Sequence, residues 1–381
     1  MNATPKSFKS WLKSARIFIA LVILFGVLTF LTDGVFLTPR NLTNLSRQVA
    51  INGILAVGMT YVILLGGIDL SVGSVVALAG VAAGISQVHW GLGVWTPETV
   101  AWQTPFLGAV LSVLLAVLVG TLCGIFNGWM ITRQRIAPFI ITLGMMVIAR
   151  GLALILSDGA AVAPMGDSFN EVGQGYLSNA ASLGLIGLAV LVWIVSWFKR
   201  ASRTVLDYFS LLSVLCFAAA TGWVVEGYRG IPYPVLLFAF LALFGTLVLN
   251  RTRLGRFVLA IGGNPDAAWL SGVPIRKITF ATYVVLGTLA GLSGAVLSAR
   301  LNGALPTAGE LFELDAIAAV VIGGTSLLGG VGSVTGSVFG AFFIGALNNG
   351  MSLLDVNEFY QKVIKGVIII LAVWFDNRDR R

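Results

Sequence analysis

The stretch "LLGGIDLSVGSVV", residues 64–76, sets a glycine pair and an aspartate inside a run of apolar residues that continues for several helical turns on either side. Apolar runs of about 20 residues recur along nearly the whole chain, each long enough to cross ~30 Å of hydrocarbon at 1.5 Å per residue. Of the 381 residues, 57% are hydrophobic and 10% charged, whereas a soluble domain carries about 25% charged residues. The sequence therefore predicts an all-α, polytopic helical membrane protein. A β-barrel would need alternating segments of about ten residues, and runs such as "IFIALVILFGVLTFL", residues 17–31, are continuous.

The net charge of +8 is unevenly placed. Basic residues gather at the N-terminus, at Arg133 and Arg135, between Lys199 and Arg203, between Arg251 and Lys277, and from Arg378 onward. The positive-inside rule makes these the cytoplasmic loops, so the charge reports topology and gives no reason to expect nucleic acid. Alternation then predicts about twelve spans, near 16–32, 44–65, 70–88, 105–131, 138–156, 181–198, 207–226, 233–250, 278–299, 313–329, 334–354 and 358–375. Both termini fall in the cytoplasm. The chain reads as a single membrane domain over 1–381, with cytoplasmic parts at 1–15, 251–277 and 376–381. Lys362 and Lys365 fall at the outer end of the last span and are expected to snorkel.

A basic N-terminus followed by an apolar run resembles a secretory signal, but no small-residue cleavage site follows, so the run is read as the first span. Cys123 and Cys216 lie in apolar runs with neither disulfide nor metal spacing. His89 stands alone beside Trp90 and reads as an interfacial residue. There is no nucleophile–base set, no carboxylate pair for acid–base work and no metal constellation. No G-x-x-x-x-G-K-[ST] phosphate loop is present. The expectation is a non-enzyme without a cofactor or metal.

Glycines recur every four residues at Gly120, Gly124 and Gly128, and again at Gly332, Gly336 and Gly340. That spacing puts each set on one helix face, where a neighbouring backbone can approach closely. The repeated "VGSV" at 72–75 and 331–334, each after a glycine-rich break, hints at internal repetition of the kind many transporters show.

Charge inside a membrane helix costs at least ~2.5–3.5 kcal/mol, so an intramembrane carboxylate needs a partner or a task. For Asp69, the preceding Gly66 and Gly67 offer a helix break, after which the carboxylate can cap the next helix. A broken helix also lines the substrate path or gate in transporters, and the two readings are compatible. Ser71 belongs to the same break. "VIGGTSLLGGVGSV", residues 321–334, repeats the pattern with Thr325 and Ser326 in place of a carboxylate. The other polar groups in the spans are Asn127, Arg150, Asp315, Asn348 and Asn349. Arg150 must face protein or water, and Asp315 is a candidate partner. The asparagines suit a hydroxylated ligand and interhelical bonding equally.

The loop "GRFVLAIGGNPDAAWLSGVPIRK", residues 255–277, writes a short helix. Asn264 is a good N-cap, Pro265 suits the first helical position and Asp266 the N-terminal turn, while Gly272 and Pro274 supply a stop. Two turns do not hold in isolation. The helix must dock, either on its own membrane domain or on a cytoplasmic subunit, with Trp269 and Leu270 as its apolar face.

The stretches "GGIDLSVGS", "RLGRFVLAIGGNPDAAWLSGVPIRK", "LDAIAAVVIGGTSLLGGVGSVTGSVFGAF" and "NNGMSLLDV" resemble the permease subunits of bacterial ABC sugar importers of the ribose/xylose class. The resemblance runs from about Thr32 to the C-terminus. "TDGVFLTPRNLTNLSRQ" and "YRGIPYPVLL" are most similar to the xylose subgroup, whose longer chain matches the extra hydrophobic pair at 181–226 beside a ten-helix core. The resemblance implies a permease homodimer in the bacterial inner membrane that receives a pentose, foremost xylose, from a periplasmic sugar-binding protein and is driven by cytoplasmic ATP-binding subunits. It also implies that Gly262, Gly263, Asn264, Pro265, Asp266, Ala267, Ala268, Trp269, Leu270 and Gly272 form the segment that couples to the ATPase. Ribose, arabinose and galactose are the near alternatives, and a branched-chain amino acid permease is a more distant one. An ion-coupled secondary transporter using Asp69 or Asp315 is the alternative from another class.

Overall fold

The computed structural model describes residues 8–92, 105–198 and 205–378. The basic residues between 199 and 203, and the chain ends at 1–7 and 379–381, lie outside the described residues. Fifteen α-helices occupy the described chain: α1 (Phe8–Leu31), α2 (Pro39–Leu64), α3 (Val72–Val88), α4 (Pro105–Arg133), α5 (Pro138–Leu156), α6 (Asp167–Gln174), α7 (Asn179–Phe198), α8 (Val205–Gly227), α9 (Tyr233–Arg251), α10 (Arg253–Gly263), α11 (Pro265–Leu270), α12 (Ile275–Leu301), α13 (Phe312–Ile322), α14 (Val334–Leu353) and α15 (Glu358–Arg378). Among the described residues there is no β-strand, only two isolated bridges. Six helices, α2, α4, α5, α7, α9 and α12, are long and apolar enough to cross a membrane, and shorter apolar stretches lie in α1, α3 and α8.

A helix stands at each of the twelve segments expected from hydropathy. The largest departure is at 313–329. There α13 ends at Ile322 after 11 residues, and Gly324, Gly329 and Gly330 take positive φ through an irregular connection. Eleven residues rise only about 16 Å, so this segment is a broken helix, not a continuous span. Two helices had no separate signal in the hydropathy: α6, between α5 and α7, and α10, which precedes the capped α11.

Long-range contacts fix the directions. Asn41 bonds Asn349 and Thr60 bonds Ser337, so α2 and α14 run antiparallel. The α4–α12 pair depends on glycine. A Cβ on Gly124 would come 2.6 Å from the Tyr283 carbonyl oxygen, and one on Gly287 would come 2.7 Å from the Gly124 Cα. Backbones this close leave no room for side chains, and the approach also places weak contacts and dispersion along the whole crossing. The face with Gly120, Gly124 and Gly128 is thus a packing face. In the second set, Gly336 and Gly340 pack on Gly323 and Ala319 of α13. Gly332 precedes α14 and lies against Thr325, so this set does not form one helix face as expected.

Helix α3 begins inside the bundle. Val72, Gly73 and Ser74 are buried, whereas the end of α2 lies where α10 and the connection after α13 come together. The turn-rich segment 302–311 passes along α3, with Ala304 near Gly84 and Gly309 against Gly73. The Glu313 carboxylate also occupies the space a side chain on Gly73 would need.

These contacts predict that Gly287→Val costs about 1–3 kcal/mol or more through overpacking. Gly144→Ala should be near neutral, because nothing lies within 4 Å of its added methyl. Thermal unfolding of the detergent-solubilised variants measures the difference.

Candidate functional site

The polar residues of the spans gather into separate groups. At the first break, Asp69 Oδ1 accepts the backbone N–H of Ser71 at 2.7 Å and the Ser71 hydroxyl at 2.6 Å. Ser71 Oγ in turn accepts Asn127 Nδ2 from α4 at 3.1 Å. All three residues are buried. Asp69 therefore closes a local turn one residue ahead of α3 and does not reach the N–H groups of the helix's first turn as expected. The side-chain oxygen accepting the N–H two residues on is the geometry that lets an aspartate serve a chain reversal. Beside this turn, buried Tyr283 presents its hydroxyl to Gly67. Neither that hydroxyl nor Asn127 Oδ1 has a hydrogen-bond partner among the described residues.

At the second break, Ser326 donates its backbone N–H to the Val331 carbonyl at 2.8 Å, and its hydroxyl accepts from Leu328 N at 3.1 Å. Thr325 is fully buried beneath it, against Gly332. Both residues hold the turn that the glycines open.

At the opposite end of the bundle, Asp315 Oδ2 accepts Lys365 Nζ of α15 at 3.1 Å and Asn348 Nδ2 of α14 at 3.1 Å. Lys362 pairs with Glu310 at 2.8 Å. The two lysines therefore engage carboxylates of α13 and the segment before it and do not snorkel alone. Arg150 does not pair with Asp315. Its guanidinium donates to the carbonyls of Pro306 and Ala308, the latter at 2.9 Å, because the irregular segment 302–311 offers free carbonyls at that point on α5. Asn349 forms a reciprocal amide pair with Asn41 of α2, at 2.9 and 3.0 Å. Asn348 Nδ2 and the Asn349 amide thus make interhelical bonds, while Asn348 Oδ1 has no hydrogen-bond partner among the described residues.

The partners Glu310, Asn41 and Tyr283 were not singled out from the sequence, and Lys365 was noted only as a snorkelling residue. Lys365 carried a usable signal, a lysine in an apolar helix that needs a carboxylate within reach. Asn41 and Tyr283 carried none, since their roles depend on residues about 308 and 216 positions away. An open cleft of 370 Å³ also lies at the opposite end, lined by Asp167, Asn170, Glu171, Gln174, Gly175 and Asn302.

The short loop helix follows its sequence closely. Asn264 Oδ1 accepts Ala267 N at 3.0 Å, Pro265 opens α11, and Gly272 turns the chain at φ +76° with Val273 N bonded to the Ala268 carbonyl. Ala268 is buried, while Asp266 is exposed, and Trp269 and Leu270 are 69% and 78% exposed. The capped turn therefore presents two large apolar side chains on its exposed face.

The family described as branched-chain amino acid transport system, permease component, matches residues 41–373. The chain belongs to this permease family. It is 40% identical over 376 residues to the xylose transport system permease protein XylH of Haemophilus influenzae, covering 95% of this chain and 96% of that protein. The XylH protein of Escherichia coli K12 is also 40% identical, over 95% of this chain and 91% of its own length. The ribose import permease protein RbsC of Escherichia coli K12 is 36% identical over 98% of this chain and 96% of that protein. The permease family is described for amino acids, yet these relatives are named for sugars, and the similarity to sugar permeases of the ribose/xylose class covers nearly the whole chain. No solved structure matches.

Two outcomes follow from the site. Lys365→Met leaves the Asp315 carboxylate buried with its cation gone, at a cost of about 3–5 kcal/mol, and the double change Asp315→Leu with Lys365→Met should recover most of that loss in a denaturation cycle. Asp69→Asn keeps a side-chain oxygen for Ser71 and should retain uptake within about threefold. Asp69→Leu strands two buried donors, at about 1–3 kcal/mol, and should lower the yield of folded protein.

Proposed function

We propose that this chain is the membrane-spanning subunit of an ATP-driven importer that moves a pentose, foremost D-xylose, across the bacterial inner membrane. The observation that carries the reading is the α11 turn, with exposed Trp269 and Leu270 on a capped helix, in a chain similar end to end to xylose transport permeases. In this reading the end of the bundle with α10 and α11 is cytoplasmic, as are both termini. Gly262, Gly263, Asn264, Pro265, Asp266, Ala267, Ala268, Trp269, Leu270 and Gly272 form the segment seated on a cytoplasmic ATP-binding subunit. ATP is bound and hydrolysed by that subunit, and this chain is a non-enzyme that needs no cofactor.

A periplasmic sugar-binding protein delivers the solute at the opposite end, and two copies of the permease assemble in the lipid bilayer. Ribose is the nearest alternative cargo, because the ribose permeases are only slightly less similar. Ion coupling through Asp69 or Asp315 is disfavoured by geometry, since Asp69 is engaged with Ser71 and Asp315 with Lys365 and Asn348.

Uptake of labelled xylose into vesicles carrying this chain, its ATPase and its binding protein tests the assignment, with ribose as competitor and ATP omitted in parallel. Strict ATP dependence with xylose preferred is the expected result. Uptake that persists without ATP would overturn it. The variant Asp266→Lys with Trp269→Ala should reduce recovery of the ATPase with the permease at least tenfold while membrane insertion is unchanged, as read by co-purification.

A further inference from the structure

The end of α10 meets both helix breaks through backbone alone. Gly330 N donates to the carbonyl of Leu64, the last residue of α2, at 2.9 Å. A Cβ on Gly262 would overlap that same carbonyl and come within 2.5 Å of Gly330 N. One on Gly329 would lie 3.0 Å from Gly262 O, Gly66 N and Leu64 O, and one on Gly330 would lie 2.7 Å from the N and Cα of Gly263. Gly66, Gly329 and Gly330 all have positive φ, which makes the turns that bring the three strands of chain together.

We infer that Gly262, Gly329 and Gly330 form a joint through which movement of the α10–α11 loop is delivered to both breaks at once. The inference rests on the coupling role proposed for α11. A contact built from side chains absorbs a small displacement by changing rotamers, but backbones already in van der Waals contact have no such slack. Gly262 stands two residues before the Asn264 cap of α11, so little chain intervenes between a subunit pressing on Trp269 and the joint. On the far side, residues 65–71 lead directly to the Asp69–Ser71–Asn127 group that positions α3. Residues 331–333 lead to the Ser333 cap, whose hydroxyl accepts Gly336 N at 3.0 Å and starts α14. The Leu64–Gly330 bond ties the breaks to each other, so they shift as one body. Gly262, Gly329 and Gly330 act through the two breaks and are positioning residues.

The test uses the complete complex in vesicles. With Gly330→Ala, whose added methyl would lie 2.7 Å from the Gly263 backbone, the ATPase should co-purify as in the unaltered protein and hydrolysis should continue, while uptake falls at least tenfold. Gly366→Ala, with nothing within 4 Å of its added methyl, should leave uptake within twofold. Uptake within twofold for Gly330→Ala would overturn the joint. Hydrogen exchange on the unaltered complex gives a reading independent of how the variant folds. Adding a non-hydrolysable ATP analogue should change protection at 255–270, 62–71 and 323–333 together. A change at 255–270 with either break silent would defeat the joint and leave coupling standing. No change at 255–270 would remove the coupling reading and the joint with it.

Discussion

A backbone that leaves a helix within hydrocarbon must find partners for its N–H and C=O groups inside the protein, because no water is there to take them. This chain leaves helical geometry at 65–71, 302–311 and 323–333, and much of its intramembrane polarity serves those departures. Gly66 N and Gly67 N bond back to Ile63 and Val62, Leu64 O receives Gly330 N, and Ser71 N is taken by Asp69. Gly324 N and Thr325 N bond back to Val321 and Val320, and Ser326 bonds across to Val331. Arg150 covers two carbonyls of 302–311. Among the candidates picked from the sequence for a path or gate, Asp69, Ser71, Arg150 and Ser326 all engage irregular backbone.

Glycine works toward the same end by a different route. At Gly73 and Gly309, and at Gly262 with Gly329 and Gly330, two or three chain segments lie so close that a single methyl would collide with backbone. Irregular segments held at that distance exclude lipid and bury their own polar groups against one another. The α4–α12 crossing uses the same device between regular helices, so the close approach of α12 also walls in the first break, with Tyr283 against Gly67.

Hydropathy made the membrane class and the twelve helix positions legible because each helix must be apolar over most of its length. The α11 turn was legible for a different reason: its cap, first-turn proline and terminal glycine act within eight residues. The end of α13 was not, since "VVIGG" stays apolar past the point where the helix stops and hydropathy does not register positive φ at Gly324. Helix α6, with its amphipathic "DSFNEVGQ", was hidden by its length of 8 residues. The partners of the intramembrane charges were misread for a common cause. Arg150 and Asp315 were matched by charge, whereas the fold gave Arg150 carbonyls at 306 and 308 and gave Asp315 a lysine on α15. Charge complementarity alone does not say which helices are neighbours.

The two polar groups also lie at different places along the bundle, and that separation bears on how such a chain works. The Asp69–Ser71–Asn127 turn and the glycine joint are grouped toward the end with α10, while the Asp315–Lys365–Asn348 cluster ties α13, α14 and α15 nearer the other end. Between them α13 packs on α14 through Gly340 against Ala319, and α2 packs on α14 with Gly345 against Val49 and with Thr60 bonded to Ser337. Sliding α2 past α14 would break the Thr60–Ser337 and Asn41–Asn349 bonds, so this contact is held in register. Hydrogen-bonded clusters toward the two ends, joined by close small-residue helix contacts, suit a machine that must open one end while the other stays shut. A neutral solute needs only transient hydroxyl partners along such a route, so the strong polar interactions are free to hold the backbone.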